Sequence, residues 1–162
     1  MQPRLDGRKA APAAYRAMSA LEGYIRKSSS LEPPLLELVR MRASQINGCA
    51  YCIDMHSKDA RASGETEQRL YALNAWEETP FFSDRERAAL AWTEAITLIA
   101  EAKASDDQLY REVREHFTEE ELVNLTLGIV TINGWNRLAI AFRAVPGEYQ
   151  PAAHPEAGSA ER

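Results

Sequence analysis

Apolar residues recur along this chain at intervals of three and four, and almost nowhere in strict alternation. That is the spacing of helices with one buried face. Tyr15, Met18, Leu21, Tyr24 and Ile25 form such a stripe and predict a first helix over about Pro12 to Lys27, ended by Ser28-Ser29-Ser30. A second helix starts at Pro33 or Pro34, since proline suits a first turn, and stops at Asn47-Gly48. A third runs from that break to Ser63, with Gly64 beyond it in the usual C-terminal position. A fourth covers about Glu67 to Glu77. Three capping boxes then follow: Ser83 with Glu86, Ser105 with Gln108, and Thr118 with Glu121. They predict helices ending near Ala102, His116 and Arg143. The last is apolar on most sides (Leu122, Leu125, Ile129, Ile132, Trp135, Leu138), which predicts a central core helix or a subunit interface. The expected fold is all-α, a single-domain bundle of about seven helices over residues 1–147, with 148–162 as a disordered tail rich in Pro, Ala, Gly and charge.

Composition leaves that picture in place and narrows the function. A chain of 162 residues with 45% hydrophobic content fits one domain able to bury a core without staples. A net charge of -5 argues against nucleic acid as a partner. The first twenty residues hold no apolar run of the secretory kind, and no stretch is long enough for a membrane span. The expected location is cytoplasmic, with no membrane partner. Reducing conditions there argue against a structural disulfide. The chain has two cysteines, three positions apart. So small a loop staples a fold poorly and suits local redox chemistry or metal binding.

The segment that carries this chemistry runs from Glu37 to His56. On a helix, Cys52 lies about 60° from Cys49, and His56 about 20° from it on the same side, so the three share a face. Cys49 follows the Asn47-Gly48 break. A position in the first helical turn exposes it to unpaired N–H groups and the positive dipole end, which favour a thiolate. His56, one turn beyond Cys52, is placed to exchange a thiol proton. The helix-start argument favours Cys49 as the attacking thiol, while proximity to His56 favours Cys52. Glu37 reaches His56 only if the chain reverses at Asn47-Gly48 and two helices pack together. A helical ion pair with Arg40 or Arg42 is the plainer reading of Glu37. Tyr51 reads as a pocket wall, His116 as a helix C-terminal residue, and Trp76, Trp92 and Trp135 as core or interface. Asn136-Arg137 reads as a pair for acidic groups across a subunit boundary. His154 falls in the tail.

The run Glu37, Cys49, Tyr51-Cys52, His56 resembles the core motif of the alkylhydroperoxidase D-like proteins, within the carboxymuconolactone decarboxylase family. The similarity spans roughly Leu31 to Ile99, and Trp135-Asn136-Arg137 resembles the end of a subgroup. The resemblance implies a helical fold that forms trimers or hexamers. It also implies a cysteine pair that reduces a hydroperoxide and closes a disulfide, with Glu37 and His56 relaying protons. An external dithiol or thioredoxin-like protein resets the pair, and no cofactor is needed. One departure stands out: Tyr51 occupies a position where well-characterised members carry a second histidine. Two other functions remain open on sequence: a metal-binding module using Cys49, Cys52 and His56, and a carboxymuconolactone decarboxylase-like enzyme acting on a small lactone or acid. A fourth reading is an assembly protein with a vestigial site.

Overall fold

The computed structural model describes residues 1–101 and 103–151, and among these all regular structure is helical. Eight α-helices are found among the described residues: α1 (Gly7–Ala10), α2 (Pro12–Ser28), α3 (Pro33–Asn47), α4 (Ala50–Ala62), α5 (Glu67–Ala72), α6 (Asp84–Thr97), α7 (Asp107–Arg114) and α8 (Glu119–Phe142). Seven correspond to the periodic segments of the sequence. The short α1 has no apolar stripe of its own and begins where the Asp6 side chain accepts from the Lys9 N–H. Much of the 148–162 tail, including His154, lies outside the described residues.

The capping boxes of α6 and α8 form in full: Ser83 and Thr118 each accept from the N–H three residues on, and Glu86 and Glu121 reach back. The third does not. The N-cap of α7 is Asp106, which accepts from the Gln108 N–H at 2.8 Å. A carboxylate is a stronger N-cap acceptor than the Ser105 hydroxyl. Regular α-helix in α6 stops at Thr97, and the expected end at Ala102 lies outside the described residues. The fourth expected helix is broken: α5 passes into a tighter 3₁₀ turn over Leu73–Glu78, kinked at Ala75. α8 ends at Arg143, whose left-handed backbone (φ 57°) halts it just before Val145-Pro146-Gly147.

α3 is the hub, packing against α4, α6 and α8. Its inward residues serve three cores. Leu35, Leu36 and Val39 join Trp92, Leu125 and Ile129 in the largest. Leu38 and Met41 meet Leu73, Trp76 and Leu90 in a second. Ala43 meets Cys49, Cys52 and Ile132 in a third, so both thiols are core residues. α8 packs on α2, α3, α4 and α6, while Val123, Val130 and Ile140 remain exposed on its outer side. Among the described residues, no helix is long and apolar enough to cross a membrane.

Candidate active site

The site begins at a glycine. Gly48 closes α3 in the left-handed conformation (φ 67°), which glycine adopts without the Cβ penalty of other residues. Its N–H returns to the Gln45 carbonyl at 3.2 Å, and the Cys49 N–H returns to Ser44 at 3.0 Å. The chain reverses there, and α4 folds back on α3. That reversal carries His56 to Glu37, nineteen residues apart in sequence, with Nδ1 2.9 Å from Glu37 Oε2.

Cys49 sits one position before the first turn of α4, as its N-cap, in extended backbone (φ -86°, ψ 92°). The helical projection therefore does not apply to it. The sulfurs meet because an N-cap side chain turns over the first turn: the Cys52 N–H donates to Cys49 Sγ at 3.4 Å, and the two Sγ atoms stand 2.8 Å apart. Both thiols are free and buried.

The two thiols differ in proton affinity. The Cys49 thiol is lowered to about 7, first because the Cys52 thiol donates to it. Burial opposes the shift; the Cys52 N–H, the Asn136 side chain and the Tyr51 N–H add to it. The Cys52 thiol is pushed up, because its proton is held by Cys49 and because it is buried. The first proton is therefore lost around neutrality, and the pair then holds the second between its two sulfurs.

Burial alone would raise the Glu37 carboxyl. The hydrogen bond and charge of His56, with those of Arg40, overcome that and hold it below its ordinary value of 4.5. Arg40 is buried and donates to Glu37 at 2.6 Å and to Glu22 on α2 at 2.6 Å. Both readings of Glu37 are therefore realised at once: it pairs with Arg40 and also holds His56. With Nδ1 bound to a carboxylate, the Nε2 atom is left to exchange protons. A lowered carboxyl stabilises the fold above its unfolded value and loses that contribution as pH falls through its folded value. The parent should lose stability as pH drops below 4.5, and E37Q should show a shallower loss over the same range in thermal unfolding.

A cavity of about 400 Å³ opens on this arrangement. Cys52, Tyr51, Met55 and His56 of α4 form one wall, and Tyr15 and Trp135 face them. Cys49 is not on its wall. Tyr51 and Trp135 are pocket residues, while Trp76 and Trp92 are core. His116 follows α7, and its carbonyl accepts from Arg85. Asp59, one turn beyond Met55, lines the same cavity and accepts from the Tyr149 hydroxyl at 2.7 Å. Neither Asp59 nor Tyr149 was marked by spacing. Among the described residues, the side chains whose ligand atoms fall within one metal-sized space are Glu37, His56 and Asp59, all within 4.8 Å of one another. The cysteines stand outside that group. Asn136 and Arg137, expected at a subunit boundary, bond within the chain: Asn136 is fully buried, and Arg137 donates to Asn133.

The profile of the carboxymuconolactone decarboxylase family matches residues 12–95, more than half the chain. The chain belongs to this family. Glu37, Cys49, Cys52 and His56 all fall inside the matched stretch. The chain is 50% identical to the uncharacterized protein YdfG of Bacillus subtilis over 141 residues, covering 87% of this chain and 95% of that one. It is similar to a crystal structure of a protein of unknown function from Agrobacterium tumefaciens, proposed as an antioxidant defence protein AhpD. That likeness has a TM-score of 0.86 and 42% identity, covering 91% of this chain and all of the other. A peroxidase-related protein from Ralstonia eutropha JMP134, with an alkylhydroperoxidase AhpD core, shares the fold at a TM-score of 0.76 and 20% identity, over 87% of this chain and 74% of that one. The family's fold points to antioxidant or related activity.

Proposed function

We propose that this protein is a thiol-dependent peroxidase that reduces organic hydroperoxides through Cys52 and Cys49. The observation that carries the reading is the arrangement at the cavity: one sulfur on its wall, a second 2.8 Å behind, and a histidine held by a carboxylate one turn along. Cys49 has the lower proton affinity, but Cys52 faces the substrate space. Passing the shared proton from Cys52 to Cys49 presents the thiolate to the cavity.

The chemistry then runs in three steps. His56 first holds the proton lost from the pair, with Glu37 fixed on its far nitrogen. The Cys52 thiolate attacks the distal peroxide oxygen; the S–O bond forms as the O–O bond breaks, and the departing alkoxide takes the proton from His56. The products are a sulfenic acid and an alcohol. Cys49 then attacks the Cys52 sulfur, forming the disulfide and releasing water with the Cys49 proton. An external dithiol or thioredoxin-like protein supplies the two electrons and two protons that restore both thiols. No cofactor enters the cycle, and it suits the cytoplasm, where dithiols are maintained. The working form is a homo-oligomer, a trimer or hexamer, a reading supported by the exposed Val123, Val130 and Ile140 on α8.

Two other readings are weaker on specific grounds. A zinc module on the cysteines is not favoured by the ligand grouping described above. Decarboxylation of an acidic lactone would use a buried cation, and Arg40 is held by Glu22 and Glu37. The test is consumption of cumene hydroperoxide with dithiothreitol as donor. Sustained turnover is expected, and H56A should slow it by about 10²–10⁴-fold, the usual weight of a positioned acid–base group. Absence of turnover in the parent would overturn the reading.

A further inference from the structure

α8 brings one more polar side chain to the sulfurs. Asn136 has 0% of its surface exposed and follows by one turn Ile132, which shares a core cluster with both cysteines. An asparagine side chain has one oxygen that accepts and one nitrogen that donates twice. Which end meets the sulfurs matters, because only the nitrogen favours a thiolate.

The surrounding network fixes that orientation from an unambiguous start. The backbone carbonyl of Ile129 can only accept, and Asn133 Nδ2 lies 2.9 Å from it. The same nitrogen donates to Thr97 Oγ1 at 3.0 Å. Asn133 Oδ1 therefore faces the other way, where the Arg137 guanidinium, which can only donate, meets it at 3.0 Å. Asn47 approaches that oxygen at 2.9 Å, so its near atom is Nδ2. Asn47 Nδ2 also meets Asn136 at 2.9 Å, so the Asn136 atom there is Oδ1. That leaves the Asn136 Nδ2 end for Ser44 Oγ, at 3.0 Å, and turned toward the sulfurs of Cys49 and Cys52, whose core cluster includes Ile132 one helical turn before Asn136. Turning the Asn136 amide over would set two N–H groups against each other at Asn47 and leave buried donors unpaired, at a cost of about 1–3 kcal/mol.

We propose that Asn136 is a catalytic residue of the thiol pair: its amide nitrogen is a preset donor to whichever sulfur is ionised, and Asn47 and Asn133 are the positioning residues that keep it aimed. The inference rests on the redox reading of Cys49 and Cys52. Asn136 lies outside the stretch that matches the family profile, 12–95. Its donor acts twice in the cycle. It holds the charge of the reduced pair before attack. It acts again when an external thiolate opens the disulfide: a new S–S bond forms, the old one breaks, and the electron pair stays on the departing sulfur beside Asn136. Its contact lowers the proton affinity of both thiols, the sign expected of a donor to a thiolate.

The test is the titration of the reduced pair, read as the iodoacetamide alkylation rate against pH. N136A should raise the first thiol pKa by about one unit from its value of about 7, a roughly fivefold slower alkylation at pH 7. N136D keeps the shape, removes the donor and adds charge, and should shift it further. S44A, which deletes a neighbouring acceptor but leaves the amide, should titrate like the parent. In the unmodified protein, the Asn136 side-chain amide resonance should move with a midpoint near the thiol value of about 7. An N136D titration like the parent's, an equal shift in S44A, or a resonance that ignores the thiol titration would each overturn the assignment. None of these readouts uses peroxide. A parent without peroxide turnover would remove the peroxidase reading and leave the Asn136 titration standing.

Discussion

Cys52→Ser is expected to abolish peroxide reduction, by at least about a thousandfold, as removal of a nucleophile does elsewhere. A serine hydroxyl in the same place has too little anionic character at neutral pH to attack a peroxide oxygen. Cys49→Ser is expected to behave differently. Its Cys52 remains on the cavity wall and consumes one equivalent of hydroperoxide, more slowly than the parent because the neighbouring thiol no longer shares its charge. The sulfenic acid then has no partner and should be trapped by dimedone. The two serine variants, compared by single-turnover peroxide consumption and dimedone labelling, separate the sulfur that attacks from the sulfur that resolves. The opposite pattern, with trapped sulfenic acid in Cys52→Ser alone, would exchange the two roles. The stakes of this comparison are mechanistic, because the thiol with the lower proton affinity is not the one at the cavity.

Arg40→Ala is expected to cost the most stability of any single change at the site. The guanidinium is buried and ties α3 to α2 through Glu22, while holding Glu37 in place for His56. Removing it leaves Glu37 as a buried carboxylate hydrogen-bonded to His56, with Asp59 nearby. Breaking a buried pair costs about 3–5 kcal/mol, and the partial exposure of Glu22 places this case near 3. For a chain of this size that lowers the thermal midpoint by roughly 6–12 °C. The electrostatic origin has its own signature. Below pH 4.5 Glu37 takes up a proton more readily once Arg40 is gone, so the gap between parent and R40A should narrow there. A gap that stays constant with pH would assign the loss to packing instead.

The helices were legible because their signals are local. The α3–α4 break is written in Asn47-Gly48, and the caps of α6 and α8 in Ser83, Glu86, Thr118 and Glu121. Where two local signals competed, sequence spacing chose wrongly: Asp106 caps α7 in place of Ser105. The site divides along the same line. Cys49, Cys52 and His56 lie within eight consecutive residues, so spacing brings them together. Even there the contact arises from an N-cap rather than from a helical face. Glu37 needed both the reversal at Gly48 and the packing of α4 on α3. Asn136, Asp59 and Tyr149 were not legible as site residues, because nothing in a sequence announces which face of a distant helix or tail closes over a cavity. The Asn136 contact spans 89 residues to Asn47 and depends on α8 crossing α3 and α4 at one register.

A hydroperoxide is expected to convert the Cys49–Cys52 pair to a disulfide within one chain. Intact-mass measurement after one equivalent of cumene hydroperoxide, with thiol counting on the same sample, tests it directly. A loss of the mass of two hydrogens per chain is expected, with loss of both free thiols and their return with dithiothreitol. Two unreacted thiols, or a chain that gains oxygen and forms no bond between Cys49 and Cys52, would contradict it.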